Sequence, residues 1–152
     1  VQRWLLLLAN ECSYNPVFEP GGSYEIDELR TFCGKKKQEH WVMYALHRES
    51  RRIVYMLNGS RTKVNLQVLV KKVLSYAPRR VYTDGLTMYK TLVPSVLHGV
   101  FQRCINYIER KNLTLRQHLR RLSRRTLGYT KSTRMLGVVL RIYLKYGTVC
   151  SG

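Results

Sequence analysis

Polar and apolar residues interleave from Tyr24 to Phe32, and two denser apolar runs follow, His40–His47 (HWVMYALH) and Ile53–Leu57. Gly34-Lys-Lys-Lys and the charged stretch Arg48–Arg52 separate the runs, and Asn58-Gly59 ends the third. Short β-prone runs punctuated in this way predict three hairpin-linked strands in an antiparallel meander. The period then lengthens. Val64, Leu66, Val68, Leu69, Val73 and Leu74 fit a helical stripe through Lys63–Tyr76, with Pro78 just past its end. Arg79–Asp84 reads as a short buried strand stopped by Gly85, followed by a helix around Leu86–Leu92 and a strand over Gly99–Arg103. From Asn106 the pattern is helical, with a break at Gly128 and a last helix over Ser132–Tyr146. Upstream, Pro16, Pro20, Gly21 and Gly22 make residues 10–22 a loop. The apolar run Trp4–Ala9 is too short to cross a bilayer and reads as a buried strand or short helix rather than a remnant targeting segment.

The predicted order is β-β-β-α-β-α-β-α-α. A meander followed by alternating units implies an α/β domain with a mixed five-stranded sheet flanked by helices, the element order of ribonuclease-H-like folds. The body is expected over residues 23–146, after an N-terminal segment and loop at 1–22 and before a tail at 147–152. A chain of 152 residues can bury a core without disulfides or a structural metal. Cys12, Cys33, Cys104 and Cys150 are dispersed with no C-x-x-C pair, which suits reduced thiols rather than a disulfide framework or a zinc ribbon. His40, His47, His98 and His118 show no ligand spacing, and there is no phosphate-binding Gly loop. Trp41, Tyr44 and Tyr55 read as core, an exposed one being able to stack on unpaired DNA.

Charge changes the picture. The formal net charge is +18 with a pI near 10.2, which implies a polyanionic partner, a nucleic acid before an acidic membrane surface. Residues 1–50 carry six basic and seven acidic side chains, so the excess lies in residues 51–152, where 21 Lys/Arg face two acids, Asp84 and Glu109. The chain's other aspartate, Asp27, sits within the first predicted strand. In a ribonuclease-H-like order the first strand is central and the strand after the first helix pairs beside it, so Asp27 and Asp84 become neighbours. Two ionised carboxylates tolerate that proximity only with cations between them. Two Mg²⁺ ions serve that purpose and activate water or a 3′-hydroxyl against a phosphodiester. Glu109 would supply the third ligand from its helix.

At about 100° per residue, Asn112, Arg116 and Arg120 fall within roughly 60° of Glu109, while Ile108, Leu115, Leu119 and Leu122 form a stripe about 110° away. One face would pack on the sheet, and the next would present a glutamate followed by arginines along a phosphate backbone. Arg121, Arg124 and Arg125 extend that surface. Ordinary readings stand beside these. Asp84 before Gly85 is a turn former, a Glu-Arg helix pair is a solvated face, and Asp27 between Glu25 and Glu28 is an edge-strand charge. Lys35, Lys36 and Lys37 form a solvated hairpin turn or a DNA-backbone contact. The coincidence of three acids in the right elements and order, where acids are scarce, favours the metal site.

The runs Glu25-Ile-Asp-Glu, Thr83-Asp-Gly-x-x-x-Tyr89 and Ile108-Glu-Arg-Lys-Asn-Leu-x-Leu-Arg-Gln-His-Leu119 closely resemble the catalytic part of insertion-sequence-one (IS-one) family transposases, as do Arg121-Leu-x-Arg-Arg-Thr and Tyr129-x-Lys-Ser. The similarity covers roughly Glu25 to Tyr146. Leu29-Arg30-Thr31 departs from the polar-aromatic residues the family has there. The resemblance implies a DDE transposase core with Asp27, Asp84 and Glu109 as metal-binding triad, using Mg²⁺ (Mn²⁺ as substitute) to cut one strand and direct the freed 3′-hydroxyl against target DNA. Asp27 and Asp84 are 57 positions apart, and the 24 residues between Asp84 and Glu109 match the family's gap. Arg116 matches a basic position that contacts terminal DNA in many DDE enzymes, and Asn112 the polar position one turn after the glutamate.

The resemblance also implies DNA ends and target DNA as partners, a homodimer in the DNA complex, and a cytoplasmic, nucleoid-associated location in a prokaryote, with no membrane partner. Family members carry an upstream zinc domain and helix-turn-helix that recognise the ends. These residues lack them, so the chain is expected to be a second-reading-frame product or a fragment. Two rivals stand: a truncated or co-opted remnant that binds DNA without cutting, and a ribonuclease-H-like nuclease. Carboxylates converging on metal would favour either enzyme.

Overall fold

The computed structural model describes residues 2–34, 38–100, 107–122 and 130–147. Three strands, β1 (Ser23–Phe32), β2 (Glu39–His47) and β3 (Arg52–Gly59), form the expected meander. Helix α2 (Lys63–Leu74), strand β4 (Arg80–Thr83), helix α3 (Thr87–Leu92) and strand β5 (His98–Val100) follow, then helices α4 (Tyr107–His118) and α5 (Thr133–Ile142). Helix α1 (Gln2–Glu11) precedes the loop, so of the two readings of Trp4–Ala9 the helix holds. It buries Ala9 while Trp4, Leu7 and Leu8 stay exposed.

The sheet order is β3-β2-β1-β4-β5. β1 pairs antiparallel with β2 and parallel with β4, β2 pairs antiparallel with β3, and β4 parallel with β5. This mixed, helix-flanked sheet is the ribonuclease-H-like α/β fold that the element order predicts. The central strand is covered on both faces, as internal strands with helical layers on either side are. Tyr24 and Ile26 pack with α2 and α3 residues such as Leu66, Leu69, Val73 and Tyr89. Leu29 packs on the other face with Ile108 and Leu115 of α4 and Leu136 and Leu140 of α5.

Two helical expectations shift. The buried stripe of α2 is Leu66, Leu69, Val70 and Val73, the i, i+3, i+4, i+7 set, which leaves Val64 and Val68 exposed. Thr62 starts this helix by accepting the Asn65 N–H at 3.3 Å. The helix carrying Glu109 ends at His118 instead of running on, and Arg120–Leu122 is a 3₁₀ turn closed by the Leu122 N–H on the Leu119 carbonyl at 2.8 Å. That tighter turn carries Leu122 into the core beside Leu115. After α5 the last turn, Tyr143–Gly147, widens to a π-helix. The expected break at Gly128 and the later part of the strand over Gly99–Arg103 lie outside the described residues. Among the described residues no helix is long and apolar enough to cross a membrane.

Candidate metal centre

The parallel β1–β4 ladder sets Ser23 opposite Arg80, Tyr24 opposite Val81 and Glu25 opposite Tyr82, the same offset of 57 positions that separates Asp27 from Asp84. Two residues past the ladder, both chains therefore present a carboxylate at the same level. β4 ends at Thr83, and the chain turns away at Gly85, whose φ of +83° favours glycine and where a Cβ would stand 3.1 Å from Val100. Asp84 Oδ1 accepts the Leu86 N–H at 3.0 Å. The turn-forming reading of Asp84 is thus correct as far as it goes, and its carboxylate also enters a cluster.

Carboxyl oxygens of Asp27, Glu28 and Asp84 all lie within 4.8 Å of one another. Asp27 projects toward α4, where its Oδ2 accepts from Asn112 Nδ2 at 2.7 Å and its Oδ1 from the Glu28 N–H at 2.8 Å. The Tyr44 hydroxyl, on the strand position opposite Asp27, lies 2.7 Å from Asn112 Oδ1 and 3.1 Å from the Ile108 carbonyl. Asn112 is therefore held from behind with its amide N–H₂ aimed at Asp27, a positional role. Glu28 leaves the strand on the other face and accepts the hydroxyl proton of Tyr89, which is fully buried in α3.

Burial, opposed by the Asn112 and Glu28 N–H hydrogen bonds and aided by the Asp84 and Glu109 charges, raises the Asp27 carboxyl above the ordinary range. Glu28 is pushed up to about 7, chiefly by burial and further by Asp84 and Asp27, against the opposing pull of Tyr89 and Arg61. At 4.8 Å two full charges repel by up to about 3.5 kcal/mol at an effective dielectric of about 20, before solvent screening. Three such groups hold either a proton or a cation. The donors are all hard oxygens, which suit Mg²⁺ or Mn²⁺ and not a thiolate-preferring metal.

The Glu28 shift has a consequence for stability. Without divalent cation the folded state keeps this proton to about pH 7, whereas the unfolded chain loses it near 4.5. Between those values the folded state binds more protons, so stability falls as pH rises. In chelator, the melting temperature of Glu28→Gln is expected to gain several degrees on the wild type between about pH 5 and about pH 8. Parallel melting curves across that range would contradict the assignment.

Glu109 lies in the exposed first turn of α4, near enough to raise the Asp27 carboxyl but outside the 4.8 Å cluster. What seats this turn is a residue the sequence reading passed over. Glu25, fully buried two positions before Asp27 on the same face of β1, accepts the Ile108 N–H at 2.8 Å and meets Arg48 Nε at 3.0 Å. Arg48 in turn lies over the Tyr82 ring at 4.7 Å and the Tyr107 ring at 5.6 Å. A buried carboxylate on an orphan N–H of the first turn is a cap supplied from another element. Alternate β1 residues thus grip α4 at Ile108 and, one turn on, at Asn112.

Arg116 follows on that helix, half-buried, its Nε enclosed and without a hydrogen-bond partner among the described residues. Arg120 and Arg121 stand exposed on the 3₁₀ turn, so they continue the row from a separate element and not from the helix face predicted for Arg120. Arg61, exposed and stacked 4.2 Å over Trp41, reaches the Glu28 side of the cluster and was not singled out from sequence. Lys35, Lys36, Lys37, Arg124 and Arg125 lie outside the described residues. Of the aromatic trio, Tyr44 is fully buried and Trp41 and Tyr55 are partly buried against the core. Glu28 and Glu25 were visible only as flanking charges of Asp27, and the one available signal was a glutamate on each face of a strand otherwise destined for burial.

The family model described as IS1 transposase matches residues 23–148. The Shigella flexneri "Insertion element IS1 protein InsB" is 35% identical over 120 residues, 79% of this chain and 92% of the relative. The Escherichia coli (strain K12) "Insertion element IS1 4 protein InsB" is 34% identical over 79% of this chain and 72% of its own length. Among solved structures, a chain of the simian T-cell lymphotropic virus intasome, in complex with the PP2A regulatory subunit B56 gamma, superposes with a TM-score of 0.52 at 10% identity, over 91% of this chain and 55% of that one. At that identity the likeness carries the fold alone. The sequence match and the parallel β1–β4 register agree, and the chain belongs to the IS1 transposase family.

Proposed function

We propose that residues 23–146 are the catalytic domain of a DNA transposase that cuts one strand at the ends of an insertion sequence and joins the freed 3′-hydroxyl to target DNA. The observation that carries this reading is the convergence of Asp27, on β1, with Asp84, just past the end of the adjacent parallel β4, in a chain of this family. Asp27, Asp84 and Glu109 would hold two Mg²⁺ ions, Mn²⁺ substituting. When bound, the ions supply Lewis-acid activation of the attacking oxygen and neutralise the leaving one. Asn112 fixes the Asp27 carboxylate in orientation, and Glu25 fixes the turn that bears Glu109.

Arg116, Arg120 and Arg121 would neutralise backbone phosphates beside the cluster, with Asn112 at the start of that surface, and Lys35, Lys36, Lys37, Arg124 and Arg125 would add DNA contacts. The +18 charge supports a DNA partner of this kind. Two copies on paired DNA ends, in the bacterial cytoplasm at the nucleoid, complete the proposal. Upstream zinc and helix-turn-helix modules would supply end recognition. Arg116→Ala is expected to weaken duplex binding and to reduce the slope of log affinity against log salt by about one. Titrations at several salt concentrations check it, and an unchanged slope would remove Arg116 from the interface.

The test of the activity is joining of a labelled 3′-hydroxyl oligonucleotide, carrying the element's end, to a supercoiled plasmid in Mg²⁺ or Mn²⁺. Joined product that disappears with chelator supports the transposase. DNA binding with neither nicking nor joining would favour a non-cutting remnant, and nicking alone a nuclease.

A further inference from the structure

The sequence reading points to Asp27, Asp84 and Glu109, yet the described residues bring a different trio together. Asp27 and Asp84 are joined by Glu28, not by Glu109. β1 meets α4 through Asp27 and α3 through Glu28, and these two successive acidic residues reach the cluster from opposite faces. Asp27 arrives from the α4 side and Glu28 from the α3 side. Accepting the Tyr89 hydroxyl does not by itself require Glu28 to lie beside two other carboxylates. Glu28 does both, because Tyr89 takes one of its oxygens and a carboxylate has a second oxygen to offer. Tyr89 is locked in the core, so the glutamate is held at low entropic cost in the posture a metal ligand needs.

We infer that Glu28 is a metal ligand and that Asp27, Glu28 and Asp84 form the first divalent-cation locus of the chain, with Glu109 outside it. This deepens the proposed function and rests on it. Tyr89 is then a positioning residue, acting on the metal through Glu28. Arg61, whose charge acts on Glu28, would offer a guanidinium to a phosphate bound at that locus.

The experiment is Mn²⁺ binding to the DNA-free chain, followed by calorimetry and by the electron paramagnetic resonance of free Mn²⁺, for wild type, Asp27→Asn, Glu28→Gln, Asp84→Asn, Glu109→Gln and Tyr89→Phe. Glu28→Gln keeps the Tyr89 hydrogen bond and the side-chain shape, and its melting temperature in chelator reports whether the fold is intact. The expected result is a loss of first-ion affinity of about ten- to a hundredfold in Glu28→Gln, comparable to Asp27→Asn and Asp84→Asn. Glu109→Gln should change it by less than about twofold, and Tyr89→Phe should give an intermediate loss. Wild-type Mn²⁺ affinity in Glu28→Gln, with losses in Asp27→Asn and Asp84→Asn, would overturn the inference and leave the proposed transposase site standing. Wild-type affinity in all three would overturn both. A loss in Glu109→Gln as large as in Glu28→Gln would overturn the placing of Glu109 outside that locus.

Discussion

Asp84→Asn is expected to abolish joining of a 3′-hydroxyl end to target DNA, lowering the rate by about three orders of magnitude or more, while DNA affinity in chelator is unchanged or slightly tighter. The choice of asparagine is what makes this result informative. Asp84 has a structural duty, since its Oδ1 accepts the Leu86 N–H that begins the turn through Gly85. An asparagine oxygen accepts the same hydrogen bond, and asparagine is as good a turn former as aspartate. If the turn were the residue's whole purpose, the variant would cut and join at the wild-type rate. The charge that would hold a cation opposite Asp27 is lost, and that loss alone remains to show in the assay. Asp27→Asn carries the same expectation, because a carboxamide retains the acceptor that Asn112 binds at 2.7 Å. Tighter DNA binding in chelator follows from removing a negative charge where a phosphate would lie. A strand-transfer rate in either variant equal to that of the wild type would end the catalytic assignment.

Arg48→Ala is expected to cost about 3–5 kcal/mol of stability, measured by urea denaturation. Arg48 is the counter-charge of Glu25, and Glu25 has no exposure at all. Removing the guanidinium strands a carboxylate whose ionisation burial already disfavours, with Arg48 and the Ile108 N–H as its chief compensations. It also empties the space between the rings of Tyr82 and Tyr107. Since Glu25 caps the first turn of α4, the strain falls next to Glu109, and activity should fall even under conditions where the variant remains folded. Glu25→Gln offers the contrast. It still accepts from Ile108 and leaves no buried anion, so it should be milder in stability than Arg48→Ala. A destabilisation below about 1 kcal/mol for Arg48→Ala would show the pair to be effectively solvated.

Much of this molecule is legible in its sequence. The meander, the α2–β4–α3–β5 alternation and the helix carrying Glu109 follow from periods of 2.0 and 3.6 interrupted by Gly, Pro and Asn. Asp27 and Asp84 were singled out by scarcity, because a carboxylate in so basic a chain stands out. Their being neighbours required only the strand order, which element succession and the rules of chain connection nearly dictate. The apolar side of α4 was also correct, as Ile108, Leu115 and Leu122 are buried together. The helix wheel failed at Arg120, since a wheel assumes that the helix continues and the chain tightened into a 3₁₀ turn after Leu119.

Sequence alone determined the sheet, its two central aspartates and the family, since periodicity, composition and motif are properties of the chain taken in order. Tertiary structure alone decided what surrounds those aspartates. Glu25 and Glu28 flank Asp27 as two ordinary charges of an acidic strand, and no local rule separates them. Packing does, because β1 is buried on both faces and a buried carboxylate must find a partner in whichever layer it meets. On one face Glu25 met the Ile108 N–H and Arg48, and became the cap of α4. On the other Glu28 met the Tyr89 hydroxyl and the Asp84 carboxylate, and joined the acidic cluster.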